Sequence, residues 1–158
     1  MSASTRSTTT STAQLVDPRG PRFAATLTTV LLAVILVTQS GWLLAAQAVL
    51  FGIGAFAGVQ RTPYAALFRR FVRPRLAPPA ELEDARPPRF AQSVGLGFAV
   101  VGVLGALLGS TPVFLMATAF AFGAAFLNAA FGYCLGCEVY LIIRRFIPVS
   151  TQHEEIPA

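Results

Sequence analysis

The sequence contains no lysine and a single histidine, and long stretches of it carry no charge. Only 12% of its 158 residues are charged, whereas 54% are hydrophobic. A soluble domain carries about 25% charged residues, so the chain lacks the polar surface to coat a water-soluble globule. No Asp, Glu, Lys or Arg occurs from Phe23 to Gln60, or from Phe90 to Cys137. A proton relay or charge-coupled pump therefore has no ionisable machinery inside these stretches. The one histidine, His153, lies in the C-terminal tail, so the apolar stretches offer no haem ligand. No phosphate loop and no Ser/His/Asp set is present. The Ser/Thr-rich start has no apolar core and is not expected to be a signal peptide. Its composition predicts a disordered tail.

A spanning helix needs roughly 20 apolar residues, and each charge-free stretch is about twice that. Each is expected to form two spans joined by a tight turn, at Ser40-Gly41 in the first and Gly109-Ser110-Thr111-Pro112 in the second. The predicted fold is an all-α membrane protein with four transmembrane helices near residues 22–39, 42–60, 91–109 and 113–133. Gln39, Gln47 and Asn128 are its main polar side chains at depth. Asn128 is expected either to hydrogen-bond across helices or to line a polar path toward the cysteines.

Every basic residue is arginine, and neither turn holds one. They gather before the first stretch, between the two, and after the second. The positive-inside rule then places both termini and the central connection in the cytoplasm, with the bacterial inner membrane as the expected location. The net charge of +5 is a topology and headgroup signal, and no nucleic-acid partner is expected.

Two segments match: "DPRGPRFA" from Asp17 and "DARPPRFA" from Asp84. Each leads into a charge-free stretch, and the stretches end in "TPYAALFRRF" (Thr62 to Phe71) and "CEVYLIIRRF" (Cys137 to Phe146). The pattern is that of a duplicated unit, near 17–76 and 84–147, between a tail of residues 1–16 and a polar tail of residues 148–158. With an even number of spans per copy, the hairpins should be related in parallel fashion, about an axis along the membrane normal. Each copy ends in a short amphipathic helix at the cytoplasmic interface. Thr62 is its N-cap and Pro63 its first residue in the first copy. Tyr64, Leu67, Phe68 and Phe71 share one side there. Arg61, Arg69, Arg70, Arg73, Arg144 and Arg145 are the interface cations. The pairs Gly54/Gly58, Gly105/Gly109 and Gly132/Gly136 have G-x-x-x-G spacing, which suits close helix contact.

"FGYCLGCEVY" holds the only two cysteines, Cys134 and Cys137, with Glu138 after them. Such a C-x-x-C can cycle between dithiol and disulfide. Aligning the copies from their RRF places Cys137 opposite Thr62, at a helix N-terminus, where free N–H groups favour a thiolate. Motif convention instead favours Cys134 as the attacking thiol. Glu138 adds a negative charge, which Arg144 or Arg145 is expected to offset. The candidate catalytic set is Cys134, Cys137 and Glu138. The bland alternative is that the cysteines and neighbouring glycines only permit close packing. Two cysteines are too few for a closed zinc or iron–sulfur site unless a second copy supplies two more. No cofactor or metal is expected.

"DPRGPRFA", "TPYAALFRRFVRPRL" and the G-x-C-x-x-C-E form at Gly132, Cys134, Cys137 and Glu138 together resemble the bacterial family DUF4395, a domain of unknown function. The likeness runs from about Asp17 to Phe146. It implies a small integral membrane protein in the setting of thioredoxin-like proteins and thiosulfate sulfurtransferases. In layout alone the chain resembles the DoxX-like membrane proteins. The expected role is thiol redox or sulfur relay at the cytoplasmic face, with the lipid bilayer and a cytosolic thioredoxin-like protein or sulfurtransferase as partners. The alternatives are a small carrier or channel component for a sulfur species, which would work as a homo-oligomer, and a structural membrane scaffold.

Overall fold

The computed structural model describes residues 14–79 and 81–146. The expected C-terminal tail, with His153, and most of the expected N-terminal tail lie outside them. Leu15 and Val16 form a two-residue strand, β1, antiparallel to β2 at Glu83–Asp84, with Leu15 opposite Asp84 and Val16 opposite Glu83. This clasp joins the two matching lead-in segments.

Helix α1 runs Arg19–Thr38, and α2 runs Gly41–Gly52 and continues as a π turn over Ile53–Ala57. A short helix α3, Pro63–Leu67, passes into a π turn at Phe68–Val72 and a 3-10 turn at Arg73–Arg75. Helix α4 spans Arg86–Leu107, α5 Thr111–Phe131 and α6 Leu135–Phe146. Among the described residues, α1, α4 and α5 are long and apolar enough to cross a membrane. The second expected span is the difference: Gly41–Ala57 is apolar but shorter, because the chain turns at Gly58 with φ 103°, a conformation glycine adopts without strain.

Local chemistry sets the ends. The Oδ1 of Asp17 accepts from the Arg19 N–H at 3.0 Å, and that of Asp84 from the Arg86 N–H at 2.9 Å. These bonds satisfy N–H groups that an opening helix leaves free. At the far end of α1, Gln39 takes a left-handed conformation and Ser40 caps α2, its Oγ accepting from the Leu43 N–H at 3.4 Å. The expected turn at Gly109–Pro112 is also found, with Gly109 at φ 71°. Trp42, Val37, Leu107 and Leu108 cluster at these turns and are among the most exposed large apolar side chains. In water that exposure would be costly. At a membrane boundary it suits lipid, with Trp42 in the interfacial position tryptophan favours.

The bundle is interleaved. α1 packs chiefly on α5, α2 on α4, and α4 on α5, whereas α1 and α2 touch far less. The core is built from Leu32, Ile35, Leu44, Phe51, Ala99, Phe114 and Ala121. Close approach depends on glycine. A Cβ on Gly102 would lie 2.6 Å from Leu44 Cδ2, and one on Gly105 would lie 2.8 Å from the backbone nitrogen of Phe114.

The three G-x-x-x-G pairs, both members of which were expected to suit close helix contact, divide their labour. Gly58, Gly109 and Gly132 have positive φ and end helices. Gly54, Gly105 and Gly136 are the members that meet neighbours closely. A left-handed residue cannot continue the helix whose face it was expected to extend.

Candidate functional site

Both lead-in segments send an arginine to a helix end. Arg22 donates from Nε to Ala129 O and from Nη2 to Ala130 O, both at 3.3 Å. Arg89 donates from Nε and Nη2 to Ala55 O at 3.2 and 3.1 Å, and from Nη2 to Phe56 O at 3.1 Å. Carbonyls at a helix C-terminus have no partner in their own helix, and a cation complements the helix dipole there. Arg22 thus holds the end of α5 and Arg89 the end of α2. Sequence reasoning treated both as topology markers. The signal that points to them is the shared PRFA at Pro21–Ala24 and Pro88–Ala91.

The Arg22 contact places the cysteines. Gly132, with φ 70°, ends α5, and its N–H bonds to Asn128 O and Leu127 O. Two residues later Cys134 stands just before α6, whose first residue is Leu135. Its Sγ accepts from the Cys137 N–H at 3.3 Å, and its carbonyl accepts from the Glu138 N–H at 3.0 Å. Cys134 is therefore the N-cap, and Cys137 is the third residue of the helix. In the first half Thr62 plays the same part: its Oγ1 accepts from the Ala65 N–H at 3.2 Å, three residues on. The structural counterpart of Thr62 is thus Cys134, not Cys137 as the RRF alignment expected. The shift of three residues arises because ten positions separate Cys134 from Arg144, whereas seven separate Thr62 from Arg69.

Cys134 and Cys137 are joined as a disulfide, with Cα atoms 5.2 Å apart. Both are half-buried, as is Glu138. The Glu138 carboxylate enters no ion pair among the described residues. Neither Arg144 nor Arg145 offsets it: both are exposed at the far end of α6, and Arg144 Nη1 donates to the Tyr140 hydroxyl at 3.4 Å. Arg22 Nη1 is 4.0 Å from where a Cβ on Gly132, two residues before Cys134, would sit. Gly136, between the cysteines, presses on α4: a Cβ there would lie 2.6 Å from Ala91 Cα. The expected interface cations Arg61, Arg69, Arg70, Arg73, Arg144 and Arg145 are all exposed.

A cavity of about 680 Å³ borders the disulfide and extends along the bundle. Cys134, Cys137, Asn128 and the cations Arg22, Arg69 and Arg73 are among the residues that line it. Its volume is in the range of small-molecule sites. Tyr64 and Thr28, which line it, belong to a polar string that the sequence did not reveal. The Tyr64 hydroxyl donates to Oε1 of fully buried Gln47 at 2.9 Å, while Gln47 Nε2 has no partner. Burial pushes the Tyr64 phenol above its ordinary range, partly opposed by a hydrogen bond with Thr28. Tyr64→Phe would leave both ends of the Gln47 amide unsatisfied, which costs about 1–3 kcal/mol. A lowered thermal midpoint in detergent, with helicity retained at low temperature, is the expected result. No group of three or more metal-ligating His, Cys, Asp or Glu side chains occurs among the described residues.

The family model described as Domain of unknown function (DUF4395) matches residues 16–145. No curated protein and no solved structure matches the chain.

Proposed function

The chain belongs to the DUF4395 family, and we propose that it is a membrane thiol–disulfide or sulfur relay acting at the cytoplasmic face through Cys134 and Cys137. The observation that carries this reading is the placement of the pair: Cys134 caps α6 through its sulfur, and Cys137 lies within bonding reach one turn on. Reduced, Cys134 sits where helix N–H groups favour a negative sulfur, which is the reactive form. Cys134 is then the attacking thiol and Cys137 the resolving one. A partner disulfide or persulfide is opened by Cys134, and Cys137 releases the mixed species as the intramolecular disulfide forms. The partner is a cytosolic thioredoxin-like protein or a sulfurtransferase.

The membrane setting in this reading is the bacterial inner membrane, with four spans and both termini cytoplasmic. The exposed arginines, all at the end of the bundle that holds α3 and α6, support that orientation. Matched features support two parallel-related hairpins. Asp17 and Asp84 cap alike. Arg22 and Arg89 clasp alike. Phe23 meets Phe68 at 5.8 Å between ring centres, as Phe90 meets Tyr140 at 5.7 Å.

The test is the state of the two sulfurs in intact cells, by acid quench, alkylation of free thiols and intact mass. A disulfide, or the added mass of a persulfide sulfur, in a reducing compartment is the expected result. Two alkylated thiols that stay unchanged under oxidant or thiosulfate challenge overturn the reading and leave the cysteines as packing residues.

A further inference from the structure

A relay that passes electrons into a disulfide must also discharge them. The cavity beside Cys134 and Cys137 reaches away from water, along α5 toward the bundle centre. Its α5 wall follows one helical face from Phe120 through Ala124 and Asn128 to Gly132. At 1.5 Å per residue that face extends roughly 18 Å. The small side chains along it leave the space open. At the end far from the sulfurs the lining includes buried Phe51 and the stacked pair Phe98 and Phe120, of which Phe120 is largely exposed on its outer side. Nearer the sulfurs Gln92 and Asn128 are among the lining residues, and a side-chain amide carries N–H donors.

This gradient selects among occupants. A free sulfur oxyanion would be stranded in the deep part, where no cation lines the wall and burial of a charge is strongly unfavourable. A flat apolar ring with two hydrogen-bond-accepting oxygens fits both ends: aromatic faces below, amide donors and the sulfur pair above.

We propose that the cavity binds a lipid-soluble quinone, which takes two electrons from the reduced Cys134–Cys137 pair. The proposal rests on the thiol-relay reading above. In the step, the Cys134 sulfur bonds to a ring carbon. The Cys137 sulfur then attacks Cys134, the S–S bond forms, and the carbon–sulfur bonding pair returns to the ring. The two thiol protons end on the two ring oxygens. One dithiol and one quinone become one disulfide and one quinol, with two electrons and two protons transferred.

The experiment uses the full chain in nanodiscs, reduced and freed of reductant, with decyl-ubiquinone as the probe. Quinone absorbance and free-thiol mass are followed together. The expected result is one quinone consumed per dithiol, at a rate that saturates with quinone concentration. Ala124→Phe and Ala125→Phe, which fill the cavity, should slow that rate at least tenfold at low quinone. Their reaction with a small water-soluble disulfide should stay within twofold of the parent chain. Should neither variant fold, saturation in the parent chain and competition by a redox-inert quinone analogue decide the matter. A rate linear in quinone and insensitive to the analogue overturns the proposal and assigns the cavity to lipid. Reaction with the soluble disulfide but not with quinone overturns the quinone site and leaves the relay standing. Inertness toward both oxidants overturns the relay reading and the quinone site with it.

Discussion

Cys134→Ser is expected to abolish exchange with a disulfide substrate, whereas Cys137→Ser is expected to trap it. The asymmetry follows from their places on α6. Cys134 is the cap, and its sulfur accepts the Cys137 N–H. A serine there keeps the cap, since serine is among the best N-cap residues, so the helix should persist. What is lost is the nucleophile, because a hydroxyl does not do a thiolate's work toward sulfur. The exchange rate should fall on the order of a thousandfold or more. Cys137→Ser keeps the attacking thiol and removes the group that resolves the mixed species. It should accumulate a covalent adduct with a cytosolic thiol protein, read as a reductant-sensitive band shift whose partner mass spectrometry identifies. Equal loss in both variants, with no adduct in either, would contradict these roles.

Replacing Gly136 with valine should have the largest structural effect at the site. The added Cβ would come within 2.6 Å of Ala91 Cα and of Ala91 Cβ, and one of those is backbone that no rotamer change can move. Helix α6 must lift off α4, on which it mainly packs. Overpacking of this kind costs about 1–3 kcal/mol, occasionally more. The displacement also shifts both cysteines relative to the cavity they line. The expected outcome is a lowered thermal midpoint together with faster alkylation of reduced Cys137 by a bulky water-soluble maleimide. Gly97→Val is the control, because nothing lies within 4 Å of a Cβ there. Equal midpoints and labelling rates in the two variants would show that the α4–α6 contact does not hold the pair.

The long helices were legible because absence of charge is a strong signal in a chain of this composition. Two charge-free stretches, each broken by small or turn-forming residues, leave few alternatives to apolar hairpins. The cap at Thr62 and the turn at Ser40-Gly41 follow from residue type. The extent of the second helix was less legible, because Gly58 reads as a packing glycine until its positive φ is known. The register of Cys134 was hidden for a related reason. Counting back from RRF assumes that both halves place the same number of residues between cap and RRF, and the second half has three more. Arg22 and Arg89 were visible as a repeated motif, but their carbonyl partners lie over a hundred and over thirty residues away in sequence. Periodicity carries no information about such pairings. The cavity belongs to the same class, since it exists only where small faces of separate helices meet.

The interleaved packing constrains the order in which the chain becomes itself. As synthesis proceeds, α1 and α2 enter first, yet each finds its principal neighbour only in the later half. The carbonyls at the end of α2 wait for Arg89, and Arg22 waits for the end of α5. The first hairpin is thus an unfinished surface held in lipid until the ribosome has delivered α5. The β1–β2 clasp and the Arg89 clasp can close once the chain has reached Arg89, whereas the Arg22 clasp needs the end of α5, and the cysteines are the last part of the site to emerge.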